Sequence, residues 1–334
     1  MHIPPKRVAQ LLTALAWLIL LVTACSVPVA EGGGSDPAAT ALRPGTTLWS
    51  YQDISNVFTA AWSPDGHFLA VGGADGTVQV RDALTGTLAL SLHGQSGAVW
   101  AVAWSPDGKR LASASWDATV RVWDFATGRL LLTYRGHAGE VLSVAWSPDG
   151  KRLASAGSDS TVQVWDAATG RRLFTYRGHD GTISALAWSP DGRRLASAGF
   201  DHTVQVWDAL TGKQAFTYRG HRNYVWAVAW SPDGARIASG STDGSVQVWN
   251  ASTGKPLVTY RGHTSGIQAL AWSSDGQRIA SGSWDTTVQV WQAATGQRLL
   301  IYRGHQDIIG AVAWSPDGER IASAADDVQV WQAS

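Results

Sequence analysis

From residue 45 onward, apolar and polar positions alternate in short runs separated by Gly, Pro and Asp turns. Runs of this length, rich in β-branched and aromatic residues, predict half-buried β-strands. The third unit is representative: Val141-Leu142-Ser143-Val144-Ala145-Trp146, the turn Ser147-Pro148-Asp149-Gly150, then Arg152-Leu153-Ala154-Ser155-Ala156. A turn ending in Asp159 follows, then Thr161-Val162-Gln163-Val164-Trp165, the turn Ala168-Thr169-Gly170, and Leu173-Phe174-Thr175-Tyr176. Four strands joined by tight turns predict a four-stranded antiparallel sheet.

The unit recurs. A tryptophan ends its first strand at Trp62, Trp104, Trp146, Trp188, Trp230, Trp272 and Trp314, each 42 residues after the last, and the proline that follows is replaced once, by Ser274. One such sheet cannot cover both its apolar faces, so the copies must stack, and units of this size predict an all-β, seven-bladed β-propeller with four antiparallel strands per blade. Seven units of 42 residues need 294, and Gly45 to Ser334 supplies 290. The last copy lacks its outer strand, while Gly45-Thr46-Thr47-Leu48-Trp49-Ser50-Tyr51 matches the outer strand Gly128-Arg129-Leu130-Leu131-Leu132-Thr133-Tyr134. The N-terminal strand is therefore expected to complete the C-terminal blade and close the ring, which removes its edges.

The Gly-His before each unit, the Ser-Pro-Asp-Gly hairpin and the Val-Trp-Asp of the third strand together resemble the WD-repeat (WD domain, G-beta type) family, over residues 45–334. That resemblance implies a non-catalytic platform that binds proteins or peptides. It also implies a structural hydrogen-bonded tetrad of His, Ser, Asp and Trp in blades three to six. The residues are His137, Ser155, Asp159, Trp165; His179, Ser197, Asp201, Trp207; His221, Ser239, Asp243, Trp249; and His263, Ser281, Asp285, Trp291. A Ser-His-Asp set also invites a hydrolase reading, but an enzyme has no use for several equivalent triads in one ring. The histidines recur once per blade, too far apart to share a metal ion. Blade one departs with Val71 and Arg81, blade two with Gln95, and blade seven with a shortened Ala325-Asp326-Asp327 turn.

Ahead of the repeats, Lys6 and Arg7 precede an apolar run from Leu11 to Val22 and the segment Val22-Thr23-Ala24-Cys25. This order reads as an export signal over residues 1–24, and the last four residues resemble the bacterial lipoprotein box. Cys25, the chain's one cysteine, is the expected lipidation site. Residues 25–44 then form a tether rich in Gly, Ala, Ser and Pro, so the propeller at 45–334 is expected to stand outside a bacterial membrane as a lipid-anchored, monomeric ring.

With 26 basic and 26 acidic residues the chain lacks the basic excess of a nucleic-acid binder. No Gly-rich phosphate loop, His-Glu-x-x-His or Gly-x-Ser-x-Gly motif occurs, and no cofactor or metal is expected. Pairs such as Lys109-Arg110, Lys151-Arg152 and Arg193-Arg194 after the Ser-Pro-Asp-Gly turns read as a solvated, charge-balanced face.

Subtracting the repeat consensus isolates what the scaffold does not require. Variation concentrates after Gly-His and just before the turn Asp, two places that open on one propeller face around the channel. They collect Phe58, Trp100, Trp116, Phe200, Tyr224, Trp226 and Trp284. Rigid aromatic rings supply contact area at low entropic cost, so these residues are the candidate partner surface, centred on Trp100, Trp226 and Trp284. A protein or peptide partner is the first expectation, and carbohydrate or cell-wall glycan stacking on the same rings is the alternative. A hydrolase at the channel mouth would draw on Glu140, Asp180 and His202, scattered over blades three and four.

Overall fold

The computed structural model describes residues 42–52 and 56–333. Cys25, the signal-like segment and the tether up to residue 41 lie outside the described residues. Seven four-stranded antiparallel sheets follow one another along the chain. Blade three shows the plan: Val141–Trp146 is innermost, followed outward by Arg152–Gly157, Val162–Asp166 and Arg172–Tyr176. Strand pairing in this blade is regular except for bulges between Val141 and Ser143 on the innermost strand and between Val164 and Trp165 on the third. Such bulges bend and twist the strand that carries them.

Apolar side chains are buried between blades, not within them. Ala112, Ala114, Val120 and Val122 of blade two pack against Val141, Val144, Leu153 and Trp165 of blade three, and comparable clusters fill the other interfaces. Alternation along each strand thus serves two neighbours at once. The ring closes as expected: Thr47–Tyr51 pairs antiparallel with Val328–Gln332, placing Thr47 opposite Trp331 and Tyr51 opposite Val328. Trp49 and Tyr51 then pack into the cluster between blades seven and one.

Antiparallel strands put the turns on two faces. One, the top, carries the Gly-His loops and the turns ending in Asp159 and its equivalents. The other, the base, carries the Ser-Pro-Asp-Gly and Thr-Gly turns. In the base turn of blade three the Ser147 hydroxyl donates to Asp149, whose carboxylate also accepts the Lys151 N–H. Gly150 sits at φ +67°, a conformation that a side chain would strain. The chain enters at the base: Gly45 N–H donates to Gln332, and Ala333 N–H donates to Glu319 of the last base turn.

The base also corrects one expectation. Arg110, Arg152 and Arg194 are not solvated charges but lie half-buried, with guanidinium carbons 4.6, 4.9 and 4.7 Å from the ring centres of Trp146, Trp188 and Trp230 on the next blade. The same tryptophans donate Nε1–H to Ala103, Ala145 and Ala187 of the preceding blade, each at 3.1 Å. Lys109, Lys151 and Arg193 stay exposed. Each first-strand Trp so treated is gripped twice by the preceding blade, by a cation–π contact on its face and a hydrogen bond at its edge.

Candidate binding face

Polar groups beneath the top face form chains of hydrogen bonds. In blade three Trp165 donates Nε1–H to Ser155 Oγ at 3.2 Å, and Ser155 lies 2.8 Å from His137 Nε2. His137 Nδ1 lies 2.9 Å from Asp159 Oδ2. Because Ser155 accepts from Trp165, its own proton is available to His137 Nε2, and a neutral imidazole then carries its hydrogen on Nδ1, facing the carboxylate. Burial alone would raise the Asp159 carboxyl, but the hydrogen bonds from His137, the Thr161 hydroxyl and the Ala138 N–H outweigh it and hold the group at about 2. Asp201 is likewise held at about 2, and Asp243 and Asp285 are lowered by the same kinds of contact. Burial pushes the His263 imidazole down.

Blades five and six repeat the whole chain, with His–Ser distances of 2.8 and 2.9 Å and Trp–Ser distances of 3.3 and 3.2 Å. Blade four departs. His179 meets Asp201 and Ser197, but Trp207 Nε1 is buried without a hydrogen-bond partner. Blade seven was read as a departure because its turn is short, yet His305 bonds Asp327 and Ser323, and Trp331 donates to Ser323 at 3.0 Å. The two-residue deletion is absorbed because Asp327 follows its turn directly and still reaches the imidazole. Sequence reasoning missed this fifth set, although His305, Ser323 and Trp331 stand in register with the others.

A second layer links neighbouring blades. Tyr134 of blade two stacks on Trp165 of blade three at 4.5 Å with 3° between planes, and its hydroxyl donates to Gln163 Oε1 at 2.6 Å. Blade one keeps the Tyr and Gln but has Arg81 in place of the Trp. Its Arg81 instead lies 3.1 Å over the ring of Tyr51 from the closing strand and donates to Gly86 O and Gln79 Oε1. In blade two Gln95 stands in for His and donates to the Ser113 carbonyl at 3.3 Å.

Six of the seven candidate aromatic residues merge into one connected cluster. Phe58 stacks on Trp100 at 4.5 Å, Trp100 on Trp116 at 5.3 Å, and Phe200 on Tyr224 at 4.6 Å. Phe200 meets Trp226 edge-on at 4.8 Å, and Trp226 meets Trp100 at 6.5 Å. That last contact joins blade two to blade five, so the aromatic rings bridge the channel. The second residue of each innermost strand, Phe58, Trp100, Leu142, Ser184, Trp226 and Gln268 among them, lines a central cavity of about 200 Å³. Trp284 stands outside this cluster, with its Nε1–H donated to Gln268 Oε1 at 2.7 Å.

Accessibility differs from the expectation. Trp226 is only 9% exposed, so it is a floor beneath the other rings and not the centre of an open surface. Phe58, Trp100, Trp116, Phe200, Tyr224 and Trp284 are half-buried. Glu140, Asp180 and His202 are exposed, and no hydrogen bond or ion pair joins any two of them.

With seven blades and repeated His–Ser–Asp–Trp chains in place, three family models match the chain. The WDR19 first beta-propeller matches residues 142–301, the WD domain, G-beta repeat matches 86–124 and 296–327, and the Anaphase-promoting complex subunit 4 WD40 domain matches 44–101. The chain belongs to the WD-repeat propellers. No curated protein matches it. WD-repeat propellers are non-catalytic interaction scaffolds in general, and the repeated polar chains fit that role, since each ties a top loop to two strands of its own blade. What the WD repeat does not account for is the aromatic cluster, because no ring in it occupies a consensus position.

Proposed function

We propose that this WD-repeat propeller is a non-catalytic scaffold that captures a protein or peptide partner on its top face, while lipid on Cys25 holds it outside a bacterial membrane. The observation that carries the reading is the convergence of rings from blades one, two, four and five, at positions the repeat leaves free, into one cluster floored by Trp226. Partly buried, preorganised aromatic residues are the usual anchors of an interface.

Glycan binding would use the same rings less well. Phe58, Trp100 and Trp116 lie face to face, so part of the flat area a sugar would stack on is already covered. The test is a photo-crosslinking residue placed at Trp116 or Trp284 in cells, followed by mass spectrometry. A peptide adduct that disappears in Trp100→Ala, with the melting temperature unchanged, supports the reading. A glycan adduct, or a peptide adduct indifferent to Trp100, overturns it.

A further inference from the structure

Away from the top face, a groove of about 340 Å³ runs along the perimeter between blades two and three. Its walls include Tyr134, Arg135 and Gly136 from one blade and Thr169, Gly170 and Arg172 from the next. Both arginines are exposed, and neither forms an ion pair among the described residues. The nearby carboxylates are engaged elsewhere: Asp159 serves His137, and Asp166 accepts the Thr169 hydroxyl. The Tyr134 phenol on the same wall is fixed by Gln163. Both arginines line the same space.

The residue set recurs: Tyr260, Arg261 and Arg298 hold the equivalent positions between blades five and six, and both arginines are exposed there. Elsewhere the scaffold is content with a neutral residue in place of Arg172: Leu88 in blade one, Leu130 in blade two, Gln214 in blade four, Pro256 in blade five and Thr47 in the closing strand. Gln214 bonds Gln205, and Thr47 bonds Tyr302, so the fold does not need a cation there. Two arginines facing one groove match a doubly charged tetrahedral oxyanion, which guanidinium forks bind in paired hydrogen bonds.

We propose that the perimeter groove at Arg135/Arg172, and the equivalent arginine pair Arg261/Arg298, each bind a phosphate monoester group. The sites are independent of the top-face reading and stand whether or not that reading does. Equilibrium dialysis of the intact ring against inorganic phosphate at fixed ionic strength should give two sites per chain. Arg172→Gln should leave one site, and Arg172→Gln with Arg298→Gln should leave none, at unchanged melting temperature because Gln already stands at position 214. Gln214→Arg should add a third site beside Arg177. Glycerol 3-phosphate binding more tightly than inorganic phosphate would identify an organic monoester as the source, and equal binding would identify the free ion. Absence of saturable binding at millimolar phosphate, equal binding of acetate, or a stoichiometry indifferent to these substitutions would overturn the proposal.

Discussion

Asp159→Asn tests whether the buried polar chains hold the blades together. Asp159 accepts four hydrogen bonds: from His137 Nδ1 at 2.9 Å, Ala138 N–H at 3.1 Å, Thr161 N–H at 3.0 Å and the Thr161 hydroxyl at 2.8 Å. Asparagine has the same shape but only one acceptor oxygen. If that oxygen stays with Thr161, the amide NH2 faces two donors. Leaving a buried donor unpaired costs about 1–3 kcal/mol, so two would cost about 2–6 kcal/mol. Ala138 is exposed and its N–H can turn to water, which leaves one unpaired donor and puts the expected loss at about 1–3 kcal/mol.

The control is Asp166→Asn. Asp166 accepts from Thr169 and Ala168 on an exposed base turn, and blade five already carries Asn250 there, accepting from Thr253 and Ser252 in the same way. Urea-unfolding midpoints should fall clearly for Asp159→Asn and little for Asp166→Asn. The sign with pH follows from a carboxyl lowered from 3.8 to about 2. Its stabilisation is complete above the ordinary value and is lost as pH falls through the lowered one, so wild type and Asp159→Asn should converge over that window. Equal midpoints for the two variants at neutral pH, or a gap that persists to pH 2, would refute the argument.

Two further outcomes follow from closure and from the incomplete chain in blade four. Deleting residues 45–52 removes the strand opposite Val328–Gln332 together with Trp49 and Tyr51, and should lower the melting temperature of the whole ring; an unchanged value would show that closure contributes nothing. Trp165→Phe gives up a hydrogen bond to Ser155, whereas Trp207→Phe gives up none. In urea unfolding the first should cost about 1 kcal/mol more than the second, and equal costs would contradict the bonding difference.

Strands, blade count and closure were legible because they follow from period and turn chemistry, which are local and repeated. The match of Gly45–Tyr51 to Gly128–Tyr134 located the closing strand without coordinates. Contacts that depend on a neighbour's position were not legible. Arg152 reads as a surface charge until the next blade's Trp188 is placed beneath it, and a shortened turn does not reveal that Asp327 still meets His305. Subtracting the consensus gathered six rings that do meet, since equivalent positions in a ring point at one axis. It could not show that Trp226 lies beneath the others, because depth is set by ring size and by the bulk of side chains across the channel.

The hydrogen bond from Trp62 to the Ala313 carbonyl repeats the clamp made between other blades, yet its partners lie 251 residues apart. During synthesis at roughly 5–20 residues per second, blade one waits on the order of ten to fifty seconds before its second neighbour exists. Throughout that interval the apolar side later buried against blade seven, with Val57, Leu69 and Val71, has nothing to cover it. The feature that leaves the finished ring without edges therefore makes the nascent chain exposed at its oldest end.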